Sequence, residues 1–584
     1  MTVTSAANHA VVRRGDDAIA REIIANRLLA IADEMGIVLA RASMSPVIYE
    51  VLDFACGLTD AEGRLVAQSN GITVFTGMFS DQVRFLRRKF AGRIREGDVF
   101  IMNDPYEGGT HTADVCICKP VFSGGEVLAF AVAVAHWSEV GGKVLGSLSP
   151  DSREIFEEGI RLPGLKLFDG GVRQDAVFEM LAANVRLPRM SQGDLNAELA
   201  AVRIADDRLA ETCAKYGAEV VRATFAELQE KSAAISRAAI AALPDGAYEA
   251  TDVIDGDGLV DEPIHVQVKV TVRGEAMEID FTGSAAQRAA PINCSRSGLG
   301  SAVRAVFKAF AGPHQPSNEG WFAPLTITVP DGTVFSAQKP AATGWYFEST
   351  AHAAELVWKA LAPLVPERFS AGSYASLCGT YIAGHNDKTG DTFVHLEPQH
   401  GGWGAGQSAD GTGGLIALMD GDTYNHSVEL VEAKTPLRIR QYGLDVEQGA
   451  GAGRQRGGFG LVREFEVTGA GTFLYASYGR SQTPAWGQDG GADGGTNYIE
   501  LIRGRDVRRI TRTPTIPLEP GDRIRIHTGG GGGWGDPKAR APEAVLADVR
   551  NGYLTAAQAR AAYGVEIRGN AVDAGATAAL RGAA

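Results

Sequence analysis

The stretch "NDPYEGGTHTADVCICKPVFSGGEVLAFAVAVAH", Asn103 to His136, decides how the chain is read. Within it, "ADVCICKPVF" and "EVLAFAVAVAH" are two extended apolar runs. They are joined by "SGG" at Ser123 to Gly125, a glycine-containing connection of the kind that closes antiparallel strands. A turn centred near residue 124 sets position 112 opposite His136, since 248 − 136 = 112, within one or two positions of both His111 and Asp114. The hairpin therefore closes the 25-residue gap between the two histidines.

Two neutral imidazoles and a carboxylate make a metal site that suits zinc, manganese or iron and leaves a position open for water or substrate. His111, Asp114 and His136 meet that requirement if the register holds. The competing reading is a histidine hydrogen-bonded at a strand end, because H-x-x-D alone is a weak motif. A fourth ligand could come from "SPVIYEVLDFACG", where Glu50 or Asp53 stands among Val47, Ile48, Tyr49, Val51 and Leu52 and needs a partner if buried. Nothing local chooses between the two. Cys116 and Cys118 share a strand face, and thiolates there would favour zinc. With no flanking charge to lower a thiol pKa, "VCIC" reads instead as buried apolar filling.

Working outward, apolar residues recur at helical spacing from Asp16 to about Ser43, which predicts a long helix with one buried face. "DFACGLTDAEGRLVAQ" carries a turn between two short apolar runs and predicts a hairpin. "SQGDLNAELAAVRIADDRLAETCAKYG" and "ATFAELQEKSAAISRAAIAAL" predict amphipathic helices, each opened by side-chain N-cap chemistry. Around Pro244 the pattern changes to the strand alternation of "IHVQVKVTVRGEAMEIDFTG". The expected fold is mixed α+β and multi-domain. Residues 1–244 would form a helical and hairpin-containing metal-site domain, 245–540 a strand-rich domain with Gly-rich loops, and 541–584 a helical tail whose last ~15 residues are too small and polar to pack firmly. No repeat of fixed period occurs.

A second polar cluster, "HLEPQHGGWGAGQSADG", sets His395, Glu397 and His400 ahead of glycines that could let a ligand approach backbone N–H groups, with Glu397 or His400 as acid or base. Tight turns between strands would explain the same residues. Glycine numbers 72, above the ~7% average. No G-x-x-x-x-G-K-[ST] occurs, so ATP, if used, is expected on another chain.

With 56 Lys+Arg against 70 Asp+Glu, the formal charge of −14 argues against a nucleic-acid partner. The N-terminus lacks a signal-peptide core, and the apolar run at 127–135 is far short of the ~20 residues that span a bilayer, so a cytoplasmic protein without membrane contact is expected. Six cysteines without a C-x-x-C pair give no disulfide framework.

"DFACGLTDAEGRLVAQ", "NDPYEGGTHTADVCICKPVF", "AHWSEVGG", "EIFEEGIRLP", "GDLNAELAAVRIADDRL", "PSNEGWFAPLTITVPDGT", "GGWGAGQSADG" and "GGGGGWGDP", in this order and over nearly the whole chain, resemble the hydantoinase B/oxoprolinase family. The family holds the B-type subunits or domains of 5-oxoprolinase, N-methylhydantoinase, caprolactamase, and the acetone and acetophenone carboxylases. The resemblance implies a metal-binding subunit that works with an A-type, hydantoinase A-like partner carrying ATP and magnesium, in a hetero-oligomer such as α2β2. It implies metal ligands at Glu50, His111, Asp114 and His136, with Asp53 in a supporting role. The implied activity is ATP-dependent hydrolysis of a cyclic amide such as a lactam, 5-oxoproline or hydantoin, with Glu139 or Glu397 as candidates for proton transfer. A ketone carboxylase subunit and a non-catalytic scaffold for the A-type subunit are the alternatives. Where relatives often carry a His-Ala-Asp-like segment, this chain has "HWSEV", so Trp137 and Glu139 are expected to reshape the pocket.

Overall fold

The computed structural model describes residues 18–387 and 389–582. The fold is mixed α+β, as the alternation of helical and strand periods predicts. The first helix runs Ala18–Ala42 and buries Ile24, Leu28, Ile31, Met35 and Leu39 along one stripe; Asp16, where its start is predicted, lies outside the described residues. Seven strands come next: β1 (Phe54–Asp60), β2 (Leu65–Gln68), β3 (Val99–Met102), β4 (Asp114–Ser123), β5 (Glu126–His136), β6 (Leu165–Asp169) and β7 (Val172–Arg173). They form one sheet in the order β2-β1-β5-β4-β3-β6-β7.

β4 and β5 are the predicted hairpin, closed by Gly124 and Gly125 at φ 65° and 83°. Positive φ at both central residues is the condition for a turn whose twist matches that of the strands. The register is two residues off the expected one, with Asp114, not residue 112, opposite His136. The physical reason is twofold. The turn centres between the two glycines, and an irregularity between Val121 and Phe122 advances the pairing by one more residue. β1 also pairs with β5, Phe54 opposite Ala135, which brings Asp53 to the strand end occupied by His136.

Two long helices, Pro188–Tyr216 and Ala218–Ala241, pack near this sheet. Neither opens on the predicted side-chain cap. Their N-cap residues are Leu187 and Gly217, and Ser191 lies inside the first helix because Pro188, which has no N–H to satisfy, starts it earlier.

Strands take over at Gly246, with β8 (Gly246–Ile254), β9 (Ile264–Arg273), β10 (Ala276–Asp280) and β11 (Leu325–Thr328) in a sheet of order β11-β10-β9-β8. Along β9, buried and exposed residues alternate as the sequence pattern requires. Helices Arg296–Ala311 and Tyr346–Leu361 precede nine further strands: β12 (Gly379–His385), β13 (Thr392–Glu397), β14 (Leu437–Leu444), β15 (Leu461–Val467), β16 (Thr472–Ser477), β17 (Tyr498–Arg503), β18 (Asp506–Ile510), β19 (Arg512–Leu518) and β20 (Arg523–His527). They sort into sheets of order β13-β12-β16-β19 and β14-β15-β20-β17-β18. One apolar core runs from Ile24 to Trp486 without a break at residue 244.

The Gly-rich segments are neither open ligand cradles nor simple turns. They run against one another backbone to backbone, with Gly402 N–H on Gly529 O, Gly451 N–H on Gly531 O and Gly531 N–H on Gly458 O, each at 2.9 Å. A Cβ on Gly531 would stand 2.1 Å from Trp403 O, so the absence of side chains lets these segments pack. The C-terminal residues pack more firmly than their composition predicts. The helix Ala574–Gly582 buries Thr577, and Arg581 bonds the carbonyls of Tyr563 and Arg540.

Candidate metal centre

At the open end of the β4–β5 hairpin, antiparallel pairing sets Asp114 beside His136, and His111 comes from the turn that leads into β4. All three are at least nine-tenths buried. Three of their atoms, His111 Nε2, Asp114 Oδ1 and His136 Nδ1, are buried without a hydrogen-bond partner, and one ligand atom from each side chain lies within 4.8 Å of the others. His111 Nε2 and Asp114 Oδ1 are 2.9 Å apart. Buried polar atoms left unpaired cost about 1–3 kcal/mol each. Two imidazole nitrogens and a carboxylate oxygen gathered this closely in a buried site fit a divalent ion of the zinc, manganese or iron class.

The atoms facing away from that point are satisfied. His111 Nδ1 is 2.9 Å from Gly344 O, a contact that places the proton on Nδ1 and the lone pair on Nε2. Asp114 Oδ2 accepts from Thr110 Oγ1 at 2.5 Å and from Tyr346 O–H at 3.2 Å. Gly344 is held in turn by Glu158, whose carboxylate accepts the N–H groups of Thr343 and Gly344 at 3.0 and 2.8 Å.

His111, Asp114, His136 and Tyr346 line a cavity of about 30 Å³ together with Asp53, Phe75, Phe347, Leu377, Gly379, Tyr381, Leu396, Pro398 and Asp420. Burial works against the charged forms of His111 and Asp114. Even so, the carboxylate lifts His111 above its ordinary value, and the imidazole holds Asp114 below its own. His136 is lowered to about 4, mainly by burial. Burial, reinforced by the negative charge of Asp114, raises Asp53 well above the usual carboxylate range and Asp420 to about 8.

Glu50 stands outside this set. It comes directly after the short helix Pro46–Tyr49, its carboxylate accepts from Ser427 Oγ at 3.3 Å, and it does not line the cavity. The carboxylate that does is Asp53, because β1–β5 pairing fixes the backbone beside His136 and the Asp53 carbonyl accepts His136 N–H at 3.0 Å. Glu139 is likewise elsewhere. It is buried against Arg186, which pairs with it at 2.7 Å, and accepts from Gly141 N–H and Ser147 Oγ. Trp137 donates to Glu198 at 2.9 Å and, like Glu139, does not reach the cavity.

Glu397 and His395 occupy the opposite face of β13 from Leu396, the residue that lines the cavity. Glu397 pairs with the buried Arg463 at 2.8 Å, and His395 Nε2 and His426 Nδ1 approach it at 3.3 and 3.4 Å. Burial raises the pKa of Glu397, but Arg463 and His395 outweigh it and hold the carboxyl well below its ordinary value. This second His/Glu/His group is organised around an ion pair that already occupies its only carboxylate. His400 is half-buried and lowered chiefly by burial. Cys116 and Cys118 are fully buried core residues whose thiols burial pushes up, in line with the apolar reading.

Sequence reasoning missed Tyr346, Gly344 and Asp420. "GWYFES" and "MDGD" carry no spacing relation to the hairpin, so local pattern offered no signal for them.

Fold and site together define a protein with a buried two-histidine, one-carboxylate centre at the end of a sheet. The chain belongs to the Hydantoinase B/oxoprolinase family, whose model matches residues 17–537. It is 33% identical to caprolactamase subunit beta of Pseudomonas jessenii over 592 residues, covering 97% of this chain and 99% of that one. It is 29% identical to 5-oxoprolinase 1 of Arabidopsis thaliana over 547 residues, which are 89% of this chain and 42% of that longer protein. The solved ATP-dependent caprolactamase of Pseudomonas jessenii superposes with a TM-score of 0.91 at 29% identity, covering 98% of this chain and 100% of that one. Acetone carboxylase shares the fold, with a TM-score of 0.90 at 20% identity over 98% of this chain and 84% of that one. Among the described residues no helix is long and apolar enough to cross a membrane.

Proposed function

We propose that this chain is the metal-binding B-type subunit of an ATP-dependent hydrolase of cyclic amides, acting with an A-type partner that binds ATP. The observation that carries the reading is that ligand atoms of the buried His111, Asp114 and His136 lie within 4.8 Å of one another. Similarity over nearly full length to a caprolactamase beta subunit supports the substrate class and the need for a partner. An unstrained amide resists water. Phosphorylation of its oxygen on the partner would make the carbon electrophilic, so that water adds and the C–N bond breaks to leave the amine and an acyl phosphate. A second water then releases the carboxylate and phosphate. His111, Asp114 and His136 would hold a divalent ion, which would supply Lewis-acid chemistry.

The chain's own residues do the rest. Gly344 O and Tyr346 O–H hold His111 and Asp114 in orientation. Asp53 and Asp420 line the same cavity and are the carboxyl groups assigned to proton transfer to the ring nitrogen as the amide opens. Phe75, Phe347, Leu377 and Leu396 present apolar walls that exclude water and suit a methylene-rich ring.

The test is reconstitution with an A-type partner, together with elemental analysis of the chain and its His136→Ala variant. The expected outcome is near-stoichiometric metal that the folded variant loses. ATP-dependent opening of caprolactam, 5-oxoproline or a hydantoin should be lost with it. Product labelled from bicarbonate would assign ketone carboxylation instead, and undiminished turnover in the variant would leave only a scaffold role.

A further inference from the structure

The stretch "EIFEEGIRLP" has no part in the ligand set, yet it contains a fully buried carboxylate, Glu158, within one turn of the metal centre's supports. The two carboxylate oxygens accept Gly344 N–H at 2.8 Å and Thr343 N–H at 3.0 Å, and the Glu158 main-chain carbonyl accepts Thr112 Oγ1 at 2.5 Å. Glu158 thereby ties the segment just after His111 to the turn at 343–344. That turn does two things for the centre. Its Gly344 carbonyl takes the His111 Nδ1 proton, and Tyr346 N–H closes it onto Thr343 O at 3.0 Å, which sets the start of the helix whose Tyr346 hydroxyl reaches Asp114. Residue 344 has to be glycine for the contact to exist, because a Cβ there would stand 2.8 Å from Glu158 Oε1.

We infer that Glu158 is a positioning residue for the metal centre. By clamping the Thr343–Gly344 amides with one carboxylate, it fixes the tautomer and ring direction of His111 and the hydroxyl that orients Asp114. It touches neither ligand and acts through the turn. A group hydrogen-bonded directly to a ligating histidine changes metal affinity by about 10–100-fold when removed, and Glu158, one hydrogen bond further out, is expected to act at the lower end of that range. The inference rests on the proposed metal-binding role of His111 and Asp114.

The experiment is metal binding by the full-length chain, with no turnover assay. Zinc affinity is measured by competition with a chromophoric chelator, and the visible spectrum of the cobalt-loaded protein is recorded, for wild type, Glu158→Gln and Gly344→Ala. Glu158→Gln keeps the size of the side chain but turns an amide NH2 toward one of the two backbone N–H groups. Gly344→Ala pushes the same contact apart from the other side and serves if the first variant does not fold. The expected result is zinc affinity reduced about tenfold or more in each folded variant, with a changed cobalt spectrum. Unchanged affinity and spectrum in a folded variant overturns the positioning role. So does a loss of thermal stability in the chelated protein with no change in binding, which would mark Glu158 as part of the general framework. Wild type that binds no zinc overturns the metal reading itself, so the two failures are distinct.

Discussion

At the scale of single residues, the centre is governed by what each buried polar atom can reach. His111 and Asp114 each have one atom held by the surrounding fold, and their other atoms, His111 Nε2 and Asp114 Oδ1, face each other at 2.9 Å beside His136. Asp420 offers a direct test of that electrostatic setting. In chelated protein, folded Asp420 keeps its proton to about pH 8, whereas an unfolded aspartate releases it near 3.8. The folded state therefore holds more protons between these values, and wild-type stability must fall relative to Asp420→Asn as pH rises through that window, by at most about 1.4 kcal/mol per pH unit. Below the window the difference is constant, and above about pH 8 it stops growing. Thermal midpoints of both proteins at a series of pH values check this, and a difference that stays flat from pH 5 to 8 would falsify the raised pKa.

At the scale of elements, the glycines separate into two kinds by what surrounds them. Gly124, at φ 65°, has open space where a Cβ would go, so Gly124→Ala meets only the cost of the left-handed conformation, about 1–2 kcal/mol. Gly531 faces backbone at 2.1 Å, and Gly531→Ala must displace the segment around Trp403, at a cost of about 3 kcal/mol or more. Thermal unfolding of the two variants should rank them in that order, with the hairpin variant retaining its metal. Equal midpoints would mean that the Gly-rich segments yield more easily than their interlocked hydrogen bonds suggest.

The hairpin itself is legible in the sequence because alternation and a two-glycine turn are local. Its exact pairing is not, since the irregularity beside Val121 answers to packing of both strand faces and leaves no mark on the residue pattern. Helix starts escape the sequence for a related reason. Ser191 has the chemistry of a cap, but Pro188, which has no N–H to satisfy, begins the helix a turn earlier.

At the scale of the whole molecule, segments before residue 244 are bonded by segments far along the chain. Ser301 Oγ bonds Val74 O at 2.7 Å, Trp345 Nε1 bonds Leu148 O at 3.1 Å, and Tyr475 O–H bonds Leu145 O at 2.7 Å. Residues 1–244 expressed alone should lack a cooperative unfolding transition and should bind zinc far more weakly than the full chain, because Gly344 and Tyr346 are missing. Circular dichroism and chelator competition check both. A fragment that melts cooperatively and binds zinc like the full chain would show that the N-terminal part folds as its own unit.

The sequence by itself determined the mixed α+β class, the hairpin that gathers His111, Asp114 and His136, and, through motifs in order along the chain, the family. These rest on periodicity and turn chemistry, which act over a few residues. Only the tertiary structure decided that Asp53 and not Glu50 faces the cavity, that Glu139 and Glu397 are spent on Arg186 and Arg463, and that Tyr346, Gly344 and Asp420 complete the centre. Each depends on which distant segments pack together, and that is set by the burial of cores built from residues far apart in the chain, which no local pattern encodes.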